Sequence, residues 1–144
     1  MSNTVKAILD LKGRNVVTAG PNTTAGEAAK VLSSRKIGAV VIVGVEGRIA
    51  GIFTERDLVN AVAKFGKDCL DQPVVSLMTS RVFRCHEDTT VNELMELMTS
   101  RRFRHLPVET NGKLVGIVSI GDVVKTRIAE VEREAEEIKA YIAG

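Results

Sequence analysis

The sequence predicts a mixed α/β (α+β) fold built from two βαββα-type repeats packed with pseudo-twofold symmetry, plus a C-terminal helix. Three observations predict it. The chain matches itself after a shift of 66 residues, each copy alternates helical and strand-like apolar patterns in the same order, and a helical pattern continues beyond the second copy. With 144 residues, 44% of them hydrophobic, the chain has enough apolar material for a core without disulfides.

The match of the chain with itself is the strongest of these signals. A shift of 66 residues places Val16 on Val82, and after a one-residue slip a shift of 65 places Gly51–Asp57 on Gly116–Asp122. A match of this length with only one slip is hard to obtain by chance. Two copies are too few for a solenoid, so we expect a pair of repeats related by a pseudo-twofold axis.

Each copy contains the same elements in the same order. Thr-Thr followed by Glu is typical of a helix start, and the apolar residues that follow recur every three or four positions. Dense β-branched runs then predict two strands joined by a turn, for which Asn111-Gly112 is a strong signal. Pro73 marks the joint between the copies. In the first copy we predict a strand at Asn15–Thr18, a helix from Ala25, strands at Ala39–Val43 and Ile49–Phe53, and a helix after Thr54. In the second copy we predict a strand at Arg81–Cys85, a helix from Val91, strands at Leu106–Val108 and Leu114–Val118, and a helix after Ser119.

The C-terminal helix has a heptad-like apolar seam. Its apolar residues alternate spacings of four and three: Val124, Ile128, Val131, Ala135, Ile138 and Ile142. Packing on its own domain is one interpretation; because the tail lies past the second repeat, we favour a homodimer contact. The predicted division is repeat 1 at 1–70, repeat 2 at 71–127 and a helical extension at 128–144.

Bulk composition excludes several classes of partner. A net charge of +2 is too small to predict nucleic acid or an acidic membrane as the main partner. Cys69 and Cys85 lack metal or redox spacing, so we expect packing residues in a reducing compartment, and the two histidines have no cluster that predicts a metal site. With no signal-like or membrane-spanning run, a cytoplasmic location is the expectation.

Two matching strings run from a strand into a helix, with a hydroxyl residue at the junction and an aspartate three residues on. The pairs are Thr54 with Asp57, and Ser119 with Asp122. A helix N-terminus suits phosphate, the hydroxyl can donate to a phosphate oxygen, and the carboxylate can accept from both hydroxyls of a ribose. The same spacing is that of a capping box, so a ligand role and a purely structural role are both open from the sequence.

Three motifs connect the chain with a known family. They are Gly-Ile-x-Thr/Ser-x-x-Asp in both copies, Thr-Glu-Arg-Asp-Leu at Thr54–Leu58, and Arg-His-Leu-Pro-Val at Arg104–Val108. Together they resemble a tandem CBS-domain module (a Bateman module), and the resemblance covers nearly the whole chain. The resemblance implies two clefts between the repeats that commonly hold AMP, ADP, ATP, S-adenosylmethionine or NAD, and modules that often pair into a flat dimer.

The resemblance also implies which residues form each cleft. The first would use Ile52, Thr54, Arg56 and Asp57 with Val82, Phe103, Arg104 and His105. The second would use Ile117, Ser119, Gly121 and Asp122 with Val16, Thr23, Ile37, Gly38 and Ala39. Because Arg56, Arg104 and His105 lie near the expected phosphate, the first cleft should prefer more negative ligands. Small residues at the matching places should leave the second cleft with little charge.

The expected function is therefore an adenine-nucleotide-binding regulatory or sensor module. It would read AMP, ADP, ATP or NAD(H) and transmit the ligand state through dimer geometry or an unknown regulated protein. The sequence contains no nucleophile–base pair, metal cluster or Walker-type loop, so we predict no enzymatic activity. The alternative is a structural or stress-response oligomer with non-binding clefts, in which the hydroxyl–carboxylate pairs only cap helices.

Overall fold

Helices and short strands alternate along residues 3–143, which the computed structural model describes. The helices are α1 Val5–Lys12, α2 Ala25–Arg35, α3 Glu55–Phe65, α4 Val91–Arg101 and α5 Ile120–Ala143. The strands are β1 Thr18–Ala19, β2 Ala39–Val43, β3 Ile49–Thr54, β4 His105–Thr110 and β5 Lys113–Ser119. The order β1-β2-β3 forms one sheet and β4-β5 another, which confirms the mixed α/β class.

Local signals place the main elements where the sequence predicts them. Thr24 and Thr90 cap α2 and α4, since each hydroxyl accepts a hydrogen bond of 3.1 Å from the backbone N–H three residues on. The strands β2 and β3 pair antiparallel, as do β4 and β5. Asn111 and Gly112 both have positive φ, 54° and 80°, as a two-residue hairpin turn requires. The first repeat uses the longer loop 44–48, so the one-residue slip of the self-match falls at this turn.

The predicted first strands are only partly present. The strand predicted at Asn15–Thr18 is reduced to the two residues of β1, and the strand predicted at Arg81–Cys85 is wrong, because only one bridge to β4 forms there. In the first repeat, the Val41 N–H donates to the Val17 carbonyl at 3.3 Å beside β1. The equivalent residue of β4 is Pro107, which has no N–H to donate, so the pairing cannot extend.

The core of each repeat is completed by the segment that precedes the other repeat in the chain. The helix α1 comes before the first repeat but its apolar face joins the core of the second, whereas residues 74–78 join the core of the first. The backbone contacts are equivalent: Val5 donates to the Thr89 carbonyl at 2.8 Å, and Val74 donates to the Thr23 carbonyl at 2.7 Å. In the packing, α1 thus belongs with the core of the second repeat and residues 74–78 with the core of the first, whereas the predicted division follows the order of the repeats along the chain.

This exchange of segments, in which α1 packs on the second repeat and residues 74–78 on the first, explains why Gly51–Asp57 and Gly116–Asp122 each begin with glycine. A Cβ atom on Gly116 would lie 2.8 Å from Leu9 Cδ1. A Cβ atom on Gly51 would lie 2.6 Å from Met78 Sδ and 2.7 Å from the Thr79 carbonyl oxygen. Only glycine leaves room for the exchanged segment at either place.

The second helix of repeat 2 and the predicted C-terminal extension form one continuous helix, α5. Glu130 anchors it, because this buried carboxylate accepts the Asn3 N–H at 2.7 Å. All six apolar residues of the predicted seam are exposed: Val124, Ile128, Val131, Ala135, Ile138 and Ile142. Within residues 3–143, no helix combines the length and apolar content needed to cross a membrane.

Candidate functional site

Two cavities lie between the repeats, and both are lined in part by Gly38 and His105. The larger, cleft one, has a volume of about 870 Å³. Every residue that the resemblance assigned to the first cleft lines it: Ile52, Thr54, Arg56, Asp57, Val82, Phe103, Arg104 and His105. The fold thus brings the end of β3 in one repeat against the segment before β4 in the other.

Thr54 ends β3 and begins α3 through a reciprocal capping box. Its N–H donates to Asp57 Oδ2 at 3.0 Å, and the Asp57 N–H donates to Thr54 Oγ1 at 3.1 Å. The Glu55 N–H donates to the Gly38 carbonyl at 3.0 Å. Of the four N–H groups that lack an intrahelical partner at this helix start, these bonds satisfy three and leave that of Arg56. The capping role of the Thr54–Asp57 pair is therefore confirmed. At this helix start, a ligand can accept a hydrogen bond only from the Arg56 N–H, which the cap leaves free.

Asp57 keeps the capacity to accept further hydrogen bonds. Its second oxygen, Oδ1, accepts from Thr79 Oγ1 at 3.1 Å. Each carboxylate oxygen has two lone pairs, so each can still accept a hydroxyl from a ligand. The capping box thus orients the Asp57 carboxylate and leaves part of its hydrogen-bonding capacity free.

Cleft one is lined by four arginines: Arg56, Arg81, Arg102 and Arg104. Among residues 3–143, none of their guanidinium groups forms an ion pair or a hydrogen bond, whereas Arg14, Arg84 and Arg127 are each paired with a carboxylate. Only Glu55 and Asp57 bring negative charge to the lining. Unpaired guanidinium groups around a cavity are suited to bidentate binding of phosphate.

The smaller cavity, cleft two, has a volume of about 390 Å³ and coincides in part with the second predicted cleft. Val16, Ile37, Gly38, Ala39, Ile117 and Ser119 line it. Thr23, Gly121 and Asp122 do not belong to its lining. The expectation that this cleft has little charge is wrong, because Lys12 and Lys36 also line it.

Asp122 lies beside cleft two in an ion pair with Lys12. The Lys12 ammonium donates to Asp122 Oδ2 at 2.7 Å and to the Ile117 carbonyl at 3.0 Å. The Ser119 N–H donates to the same carboxylate oxygen at 2.9 Å, and the Asp122 N–H donates to Ser119 Oγ at 3.2 Å. Burial raises the pKa of Asp122, but the bonds from Lys12 and Ser119 outweigh it, and the pKa lies below its usual value. The side chain is thus a carboxylate at neutral pH.

His105 forms the wall between the two clefts. Its ring lies so close to Gly38 that a Cβ atom there would be 2.9 Å from His105 Cε1. Burial lowers the pKa of His105, so the imidazole is neutral at pH 7. The charged groups that act on it are Glu55 and Asp122, which raise the pKa, and Lys12 and Arg104, which lower it. A neutral ring offers a hydrogen bond to a phosphate but no charge.

Sequence reasoning missed four cations of the clefts. Arg81 is adjacent to Val82, Lys36 to Ile37, and Arg102, the residue after α4, to Phe103, so all three lie next to residues that the resemblance had selected. Lys12 had no such signal, because it reaches cleft two only through the exchange of α1 between the repeats. Within residues 3–143, no group of three or more His, Cys, Asp or Glu side chains could hold a metal ion.

A comparison with protein families decides what these paired repeats are. The family model of the CBS domain matches residues 7–64 and again residues 74–128. The chain belongs to the CBS-domain family. It is a tandem CBS module, and its fold is close to that of the CBS-domain containing protein ATU1752 from Agrobacterium tumefaciens. The two are 57% identical over 87% of this chain and 99% of that one, with a TM-score of 0.84.

Solved structures of two other CBS modules of similar fold contain adenosine compounds. The CBS domain pair of protein MJ0100, in complex with 5′-methylthioadenosine and S-adenosyl-L-methionine, is 28% identical over 90% of this chain and 99% of that one, with a TM-score of 0.79. The CBS domain protein PAE2072 from Pyrobaculum aerophilum, complexed with AMP, is 28% identical over 83% of this chain and 88% of that one, with a TM-score of 0.73. The family thus includes modules with anionic and modules with sulfur-containing adenosine ligands.

Proposed function

We propose that this CBS module is a non-catalytic regulatory sensor that binds adenine nucleotides in the two clefts between its repeats. The observation that supports this most is the composition of cleft one, where the Thr54–Asp57 pair of one repeat lies in the same cavity as four unpaired arginines. The AMP-bound neighbour supports the same ligand class.

The four cations of cleft one favour ligands with more than one phosphate. In its lining four guanidinium groups outnumber two carboxylates, and one terminal phosphate, with three free oxygens, cannot accept a bidentate pair of hydrogen bonds from each of four guanidinium groups. A cavity of about 870 Å³ has room for a triphosphate or a dinucleotide. We therefore propose ATP, ADP or NAD(H) rather than AMP as the ligand of cleft one.

Ligand state would be transmitted through a homodimer or a regulated partner. A ligand shifts a conformational equilibrium only by its differential affinity for the two states. The Asp122 cap at the start of α5 adjoins cleft two, and the same helix continues into the exposed apolar seam, so one helix joins a cleft to the proposed dimer contact. The buried, unpaired Cys69 and Cys85 suit the reducing cytoplasm that we propose as the compartment.

One observation favours the structural alternative. Both carboxylate oxygens of Asp57 already accept a hydrogen bond within the protein, Oδ2 from the Thr54 N–H of the cap and Oδ1 from Thr79 Oγ1. Under this alternative the clefts stay empty, and loss of Asp57 lowers stability without changing any response to ligand. The two proposals therefore differ in a single measurable response.

The test is thermal unfolding of protein that has been unfolded and refolded to remove carried-over ligand. AMP, ADP, ATP, NAD, NADH and S-adenosylmethionine are compared at saturating concentration. A ligand at one hundred times its dissociation constant adds about 2.7 kcal/mol to the free energy of unfolding. For a chain of this size, that is an increase of about 5–10 °C in Tm.

Paired variants make the result specific. Asp57→Asn keeps a side-chain oxygen for the Thr54 N–H but removes the charge, and Arg104→Gln removes one cation of cleft one; both should reduce the shift with ATP. Asp88→Asn and Arg35→Gln, which change exposed residues outside the clefts, should not. Equal shifts in all four variants, or no shift with any compound, would favour the structural alternative. Turnover of ATP or NAD that Asp57→Asn removes would contradict a non-catalytic module.

A further inference from the structure

Lys12 introduces a fixed cation into cleft two from outside both matching strings. It is the last residue of α1, the helix that packs against the second repeat, and its side chain is about one-third exposed (33%). Its ammonium group is held by two acceptors, Asp122 Oδ2 at 2.7 Å and the Ile117 carbonyl at 3.0 Å. The equivalent aspartate of cleft one, Asp57, is held instead by the neutral hydroxyl of Thr79.

The hydrogen bonds of this ion pair leave capacity for a ligand on both sides. An ammonium group has three donors, and the two bonds of Lys12 use two of them. Asp122 receives Lys12 and Ser119 on the same oxygen, Oδ2, while Oδ1 accepts no hydrogen bond from residues 3–143. A ligand of cleft two with an anionic group can therefore bind to Lys12 without breaking the pair, and Oδ1 of Asp122 beside the cleft can still accept a hydroxyl.

We propose that Lys12 is a specificity-determining residue of cleft two, where it selects adenosine ligands with an anionic 5′ substituent over those with a neutral or cationic one. This inference rests on the proposed function, and it identifies a single phosphate as the preferred substituent at this cleft. AMP satisfies the third ammonium donor and adenosine leaves it unsatisfied. S-adenosylmethionine carries a sulfonium cation directly at the 5′ position and its carboxylate only at the far end of the methionyl chain, so it places a second cation near the first.

Charge decides which adenosine ligand cleft two prefers, because the small size of the cleft limits other contacts. Its volume of about 390 Å³ is less than half that of cleft one. Lys36 is the other cation of its lining, and no carboxylate belongs to that lining. A hydrogen bond between an ammonium group and a phosphate is about twice as strong as one between neutral groups.

The test is calorimetric titration of the full chain with AMP, adenosine and S-adenosylmethionine. An Asp57→Asn background weakens cleft one so that cleft two is observed. Lys12→Met removes the charge at similar length, Lys12→Arg retains it, and Lys6→Met changes an exposed lysine of the same helix as a matched control. Thermal unfolding without ligand shows whether each variant is folded.

We expect Lys12→Met to weaken AMP binding by about tenfold, which corresponds to about 1.4 kcal/mol. Adenosine should change by less than about twofold and S-adenosylmethionine should bind more tightly, whereas Lys12→Arg and Lys6→Met should bind AMP like the background. Equal loss of AMP and adenosine, or no loss of either, would overturn the inference and leave the proposed function intact. An Asp57→Asn protein that no longer binds AMP, although the wild type does, would also overturn it. Failure of the wild type to bind any adenine compound would refute the proposed function itself.

Discussion

Changing Gly116 and Leu9 separately and together tests the exchange of α1 onto the second repeat. Leu9 is fully buried, and a Cβ atom on Gly116 would lie 2.8 Å and 2.9 Å from its two terminal methyl carbons. Gly116→Ala should therefore overpack the core and cost about 1–3 kcal/mol. Leu9→Ala should leave a cavity and cost about 2–5 kcal/mol.

The double variant is the informative one. In Gly116→Ala/Leu9→Ala the new methyl group enters space that the leucine has vacated, so the overpacking is relieved and part of the cavity is filled. The loss of stability should be smaller than the sum of the two single losses by about 0.5–3 kcal/mol. Coupling of this size is expected for two positions in contact and not for independent sites.

Urea unfolding followed by circular dichroism gives each free energy by linear extrapolation. Gly20→Ala is the control, because nothing lies within 4 Å of a Cβ atom there, and its effect should be within about 0.5 kcal/mol. Additive losses to within about 0.3–0.5 kcal/mol would refute the exchange of segments. A Gly116→Ala protein as stable as Gly20→Ala would refute it as well.

Three further predictions address titration, assembly and thiol reactivity. Because burial lowers the pKa of His105 from the ordinary 6.5, the unfolded chain takes up its proton first, and stability should fall as the pH drops below about 6.5. In urea titrations His105→Gln should lessen this fall, and an unchanged fall would contradict the burial of the ring. Ile138→Glu in the exposed seam of α5 should convert the proposed dimer to a monomer and so halve the mass found by analytical ultracentrifugation. The neighbouring Glu136→Gln should leave a dimer, and a wild-type monomer would contradict the proposed contact. Burial raises the pKa of Cys85 to about 12, so iodoacetamide should label it only after unfolding, and rapid labelling of the native protein, seen by mass spectrometry, would be inconsistent with this packing.

The elements that the sequence predicts well depend on local chemistry. The starts of α2 and α4 depend on a threonine and the N–H three residues later, and the β4–β5 turn depends on Asn-Gly. The missing strand before β4 depends on a distant partner, because Pro107 lacks the N–H that would extend the pairing. No property of residues 81–85 alone contains that information.

The same distinction separates the two clefts. Most residues predicted for cleft one belong to motifs that stand out in the sequence, and all of them line the cavity, together with Arg81 and Arg102, which the prediction missed. Lys12 lies about 110 residues from Asp122, and only the packing of α1 brings them to 2.7 Å. Charge contributed by an exchanged segment cannot be assigned to a cleft until the partner of that segment is known.

The two clefts derive from one duplicated pattern, yet their cations have different origins. In cleft one a neutral threonine holds the motif aspartate, and the cations are four arginines without partners. In cleft two the residue that holds the aspartate is itself a cation, Lys12, and so the positive charge is already half neutralised by Asp122. Since the net charge that a ligand must balance is larger in cleft one, polyphosphates should prefer it, and a monophosphate is enough for cleft two. Under the proposed function, a module with this arrangement would bind two different adenine nucleotides at once, one in each cleft.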